Sequence, residues 1–225
     1  MNEEFYHVVK RGVEERVIFL DNDDHNRFLS SLLVFNDSFP APWDMRAFWL
    51  QRELSSWKTY KPKNPVVEIH AYALMKNHFH LLLRQIAENG ITDFMRKLGG
   101  YSYYFNKKYK RVGTLFQGRF KAKLIETDTQ LINTFNYIHT NPVEIIEPGW
   151  KEWSVKNPKR AKDFLKKYKW SSYVDYLGDT NNPYSNLLTK EFFLGVLNGK
   201  NGCRAEVESW IDAKTPNDMD SLILE

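Results

Sequence analysis

The stretch that decides the fold is residues 66–84, VVEIHAYALMKNHFHLLLR. Residues 66–75 and 78–84 are rich in β-branched and apolar side chains, and only Lys76 and Asn77 lie between them. That length and chemistry suit a hairpin turn, so the two runs read as antiparallel strands. Working outward, residues 5–11 (FYHVVKR) read as a strand ended by Gly12. Residues 22–35 read as a helix opened by an Asn/Asp cluster, with Phe28, Leu29, Leu32 and Leu33 as its buried stripe. On the other side, residues 90–110 read as a long basic helix loosened at Gly99 and Gly100, and residues 118–126 (GRFKAKLIE) as a strand. Thr127, Asp128, Thr129 and Gln130 then form a capping-box pattern for a helix running to Pro142.

The order is therefore β-α-β-β-α-β-α. Its first six elements are those of an α+β, ferredoxin-like split β-α-β sandwich, an antiparallel sheet with helices on one face. Residues 1–147 make this domain, with an insertion at about 38–65 that is rich in Trp and Pro. Residues 148–225 read as a mainly helical C-terminal extension, for accessory DNA contact or packing, with helices near 157–169 and from about Thr189. A fold of this kind hosts many functions, so function must come from the site.

The chain has 225 residues, 42% of them apolar and 15% aromatic, as a folded protein requires. Its single cysteine, Cys203, excludes an intramolecular disulfide. No signal peptide and no run of eighteen apolar residues is seen, so a cytoplasmic location without membrane contact is expected. The net charge of +4 is unevenly spread: between residues 96 and 123 there are nine Lys or Arg and no Asp or Glu. A stretch of that kind either faces a polyanion or is a solvated surface.

Along a strand, successive side chains alternate faces, so His78 and His80 point the same way, about 6.5–7 Å apart, while Phe79, Leu81 and Leu83 point to the core. That spacing lets both imidazoles reach one divalent ion; the alternative for the pair alone is two exposed or hydrogen-bonded histidines. Imidazole suits Mn, Fe, Ni, Cu or Zn, and oxygen ligands and water completing the shell would also admit Mg. His70 on the neighbouring strand, expected to share a face with Glu68 and Tyr72, would at most brace a ligand from behind and reads more simply as an ordinary strand residue. In the helix before Pro142 the apolar stripe is Leu131, Ile132, Phe135 and Ile138, and Tyr137 lies about 150° from its centre. Tyr137 is therefore expected to face away from this helix's core. Asn141, one turn on, presents an amide on the same side. A phenol is a poor nucleophile at neutral pH unless something offsets the charge of phenolate and phosphate, which a metal would do.

The segments YHVVKRG at 6–12, AYALMKNHFHLLL at 71–83, GTLFQGRFKAKLI at 113–125, YIHTNPVE at 137–144 and KWSSYVDYLG at 169–178 together resemble the single-tyrosine HUH transposases, in particular the REP-associated tyrosine transposase type. The resemblance implies a catalytic domain that recognises DNA hairpins, cleaves a neighbouring single strand through a 5′-phosphotyrosine and rejoins it. Carried over, His78 and His80 are the implied metal ligands with Asn141 as the third, Tyr137 the nucleophile, Mg or Mn the ion, and hairpin-bearing single-stranded DNA the partner. A homodimer is compatible with it. Lys76 stands where many relatives have proline, which leaves the chemistry untouched.

For DNA contact the candidates are Lys10, Arg11, Lys107, Lys108, Arg111, Gln117, Arg119, Lys121 and Lys123, with Tyr101, Tyr103, Tyr104, Phe105 and Tyr109 as stacking planes. The first alternative is a domesticated protein that binds hairpin DNA or RNA without transposing. A two-histidine phosphoesterase would need a second His-x-Ser/Thr element, and none of the remaining histidines supplies it.

Overall fold

A computed structural model describes residues 4–40, 54–179 and 181–213. Its centre is a four-stranded antiparallel sheet in the order β2-β3-β1-β4, with β1 Phe5–Arg11, β2 Val67–Leu74, β3 His78–Gln85 and β4 Lys121–Ile125. Met75 N–H donates to the His78 carbonyl at 2.9 Å, closing the two-residue turn at Lys76 and Asn77. The Lys76 and Asn77 carbonyls accept from Ile18 and Gly12, which braces the hairpin tip against the end of β1. Gly12 is required there, because a Cβ would stand 2.2 Å from the Arg16 carbonyl oxygen.

Helix α1 (Asn22–Phe35) starts where Asp21 accepts from the Asp24 N–H at 2.9 Å. It buries Phe28, Leu29, Leu32 and Leu33 as expected, and the Phe28 ring meets Phe79 of β3 at 4.6 Å. The expected long basic helix is two helices, α2 (Gly90–Leu98) and α3 (Tyr101–Lys108), because the chain breaks at Gly99 and Gly100. Tyr101 of α3 packs on Phe28 and donates to the Ile18 carbonyl. These helices cover the sheet face of Val8, Phe79, Leu81 and Leu83, which is the arrangement expected for the first six elements.

The last strand is shorter than residues 118–126 because Gly118 turns the chain at a φ of 52° and only residues 121–125 pair with β1. Helix α4 (Asp128–Thr140), capped by Thr127 accepting from Gln130 N–H at 3.2 Å, lies on the opposite sheet face. Outside it pack α5 (Trp150–Trp153), α6 (Pro158–Leu165), α7 (Tyr173–Tyr176), α8 (Glu191–Val196) and α9 (Gly199–Ala213). Phe135 of α4 stacks on Phe193 of α8 at 4.3 Å, and Phe193, Val207 and Ile211 join the same buried cluster as the strands. Of the insertion, residues 41–53 lie outside the described residues, while Trp57 is buried and packs on Tyr60. No helix among the described residues is long and apolar enough to cross a membrane.

Candidate active site and nucleic-acid interface

The register fixes which side chains share the α4 face. Val9 pairs with His80 and with Lys121, Arg11 with His78, and His7 with Leu82 and Lys123. Residues paired across an antiparallel ladder point to one face. His7, Arg11, His78, His80, Lys121 and Lys123 are therefore one surface. Helix α4 covers its β2–β3 half, and β4 remains an open, exposed edge.

Where the helix meets the strands, Asn141 Nδ2 lies 3.0 Å from His80 Nε2, and His80 Nδ1 lies 3.0 Å from His7 Nε2. With the amide donating, His80 carries its proton on Nδ1 and donates it to His7, so one tautomer satisfies the whole chain of contacts. His78 Nδ1 is 2.7 Å from the Asn77 side-chain oxygen, and its ring lies edge-on to His80 with centroids 4.9 Å apart. His7, His78, His80 and Asn141 are all buried, where a polar group is tolerated only with partners. His7 is a direct neighbour of the histidine pair that the sequence reading missed. Its signal was there, since β1 pairs with the histidine strand, but only the register reveals which of its residues faces the pair.

Tyr137 corrects one expectation. It does not face away from the core: it is 0% exposed, with its ring edge-on to His80 at 5.6 Å and to His7 at 5.8 Å. The stripe argument assumes one covered face, whereas α4 is packed on two: Phe135 against the extension, Tyr137 and Asn141 against the sheet. The phenolic oxygen accepts from Lys151 Nζ of α5 at 3.2 Å, and that ammonium lies 5.2 Å from the ring centroid. Lys151 is the second neighbour of these residues that sequence reasoning missed, because nothing in a linear pattern places α5 over α4.

His70 also differs from expectation. A bulge between Ile69 and Ala71 puts Tyr72 opposite Leu81 on the core face, away from Glu68 and His70. His70 packs on Phe5, with Nε2 3.4 Å from Glu68, and burial lowers its pKa. Phe5 pairs with Arg84, four residues along β3 from His80, or about 13 Å.

The basic candidates divide by position. Arg11, Lys121 and Lys123 flank the histidines, although Arg11 is ion-paired with Glu15 at 3.2 Å. Arg11, Lys10, Gln117, Arg119 and Lys121 line a cleft of about 630 Å³ at the β1–β4 end of the sheet. Lys10 itself points to the other face, over Phe116, and desolvation lowers its pKa. On α3 and just beyond, Lys107 lies over Tyr103, and Arg111 donates to Asn106 at 2.7 Å. Lys108 is held by Asp21 and Asp24 at 2.8 and 2.9 Å, where its pKa is raised and it ties α3 to α1. Of the stacking candidates, Tyr103 is 72% exposed. Tyr101 and Phe105 are core, and Tyr104 and Tyr109 hydrogen-bond Asp24. Among the described residues no three His, Cys, Asp or Glu side chains converge to hold an ion, so a metal here would rest on two imidazoles and an amide.

The family model described as "Transposase IS200 like" matches residues 49–141. No curated protein sequence matches the chain. Among solved structures, a REP-associated tyrosine transposase bound to a REP hairpin is similar at 15% identity and a TM-score of 0.48, over 82% of this chain and 86% of that one. Residues 49–141, the segment that matches that family model, contain His78, His80, Tyr137 and Asn141.

Proposed function

We propose that this chain is a metal-dependent single-stranded DNA endonuclease and strand transferase that cuts beside DNA hairpins, with Tyr137 as its nucleophile. The observation that carries the reading is the meeting of α4 with β3: Asn141 stands 3.0 Å from His80, and Tyr137, one helical turn earlier, packs its ring on the same histidine. Two donors this close together could both reach a single divalent ion. The amide's oxygen and nitrogen exchange places by a half-turn, so Oδ1 can take the position facing His80. His7 then holds His80 by its other nitrogen, the orienting contact that ligating imidazoles normally have. Bound among His78, His80 and Asn141, a Mg or Mn ion would polarise a phosphate oxygen and neutralise its charge.

In the cleavage step the Tyr137 oxygen attacks phosphorus, the Tyr–O–P bond forms and the P–O3′ bond breaks. The phenolic proton passes to water admitted with the strand, and the departing 3′ oxygen takes one up. A 3′-OH attacking the phosphotyrosine reverses the step, so the ester's energy is kept for rejoining. Lys121 and Lys123, on the same face, suit the backbone of the incoming strand.

The test is incubation of the protein with labelled hairpin-bearing single strands, with Mn or Mg and with chelator. The reading expects cleavage that leaves a free 3′-OH and a protein-blocked 5′ end, lost with chelator and in His78→Ala, His80→Ala and Asn141→Ala. Tight binding of the same strands with no cleavage across a broad pool would favour a domesticated hairpin-binding protein.

A further inference from the structure

We propose that Lys151 is a further participant in strand cleavage, its ammonium serving as the hydrogen-bonded charge partner of the Tyr137 oxygen while that oxygen attacks the phosphate. The inference rests on the reading of Tyr137 as nucleophile. Lysine has three donors and no acceptor, so in the contact at 3.2 Å the phenolic oxygen accepts. The phenol's own proton therefore points elsewhere and is free of that contact. Such a bond strengthens as negative charge gathers on the acceptor, which is the direction of change when a phenol becomes a nucleophile. The same ammonium is 5.2 Å from the ring centroid, which together with the 3.2 Å contact puts it at the oxygen end of the ring.

The position is built rather than incidental. Trp150, 2% exposed, anchors α5 in the core, and Gly149 enters it at a φ of 80° with its N–H on Glu144 at 2.9 Å. Lys151 thus leaves a fixed backbone, which lowers the entropy of holding its long side chain over a buried ring. A lysine kept only for solubility would extend into water. The residue also lies beyond the segment 49–141, so the extension would complete the site as well as pack on it.

The test separates charge from packing. Single-turnover adduct formation and DNA affinity are measured for wild type, Lys151→Met, Lys151→Arg and Tyr137→Phe, and Lys151→Ala is assayed with and without ethylammonium. Loss of a charge-assisted hydrogen bond predicts a rate about ten- to a hundredfold lower in Lys151→Met. Affinity should change less than about threefold, since Lys151 faces the phenol, and arginine or added ethylammonium should restore the rate. A Lys151→Met rate equal to wild type overturns the proposal, as does a slow variant that neither arginine nor the amine rescues. If wild type forms no adduct, the nucleophile reading falls and this one with it. An adduct lost in Tyr137→Phe but unchanged in Lys151→Met removes this proposal alone.

Discussion

Acid should loosen the clamp that holds α4 in place, and His139 gives the size of the effect. Its Nε2 lies 2.7 Å from Ser172 Oγ, which also accepts from Tyr72 N–H of β2 at 2.9 Å, so one buried imidazole links the helix of Tyr137 to the sheet and to the residue preceding α7. Desolvation pushes the imidazole down from 6.5 to about 3, partly offset by the Phe135 carbonyl. Below 6.5 the unfolded chain binds a proton that the folded chain refuses. The neutral histidine's contribution is therefore fully present above 6.5 and is lost as pH falls toward the folded value. From about pH 6.5 to about pH 5 the linkage withdraws about 1.5 kcal/mol. Asp175 has the opposite sign: burial raises its carboxyl from 3.8 to about 6, so its contribution is fully present below 3.8 and is lost as pH rises from there through about 6. The wild-type curve mixes the two with His25 and His70, both lowered by burial. The assay is therefore urea unfolding of wild type and His139→Gln at both pH values, compared as a difference. The variant should gain about 1.5 kcal/mol on wild type at the lower pH. A difference that does not change with pH would refute the reasoning, since His139 would then titrate alike in both states.

Replacing His7 by leucine removes the acceptor for His80 Nδ1 and should weaken Mn binding, read by calorimetry, about 10- to 100-fold, while His7→Gln keeps most of the affinity. In a salt titration of single-strand binding, Lys121→Ala with Lys123→Ala should flatten the log–log slope by about 1.4, or about 0.7 per lost phosphate contact. Phe193→Ala empties a fully buried stack on Phe135 and should cost about 3–5 kcal/mol in denaturant unfolding. Lys108→Ala removes ion pairs to Asp21 and Asp24, so its main effect should be a lower melting temperature, with strand affinity nearly unchanged.

What the sequence made legible was what period and turn chemistry control. The 66–84 hairpin, the α1 stripe and the Thr127 cap are all local patterns, and the structure has them. The faces of His78 and His80 followed from alternation alone. What stayed hidden depends on contacts between distant segments. His7 joins the site only through strand register, and Lys151 only through the docking of α5 on α4. Tyr137 was expected away from its helix's core because a single apolar stripe implies one covered face, and nothing local told that the extension covers the stripe while the sheet covers the tyrosine. The bulge at His70, which turns Tyr72 to the other face, is equally invisible to a period of two.

The most direct measurement is the identity of the residue joined to DNA. Wild type and Tyr137→Phe are incubated with hairpin-bearing single strands and Mn or Mg, digested, and the nucleotide-bearing peptide is found by mass spectrometry. The account predicts one metal-dependent adduct on the peptide containing Tyr137, absent from the variant. An adduct on another tyrosine such as Tyr103, or one that persists in Tyr137→Phe, would contradict it.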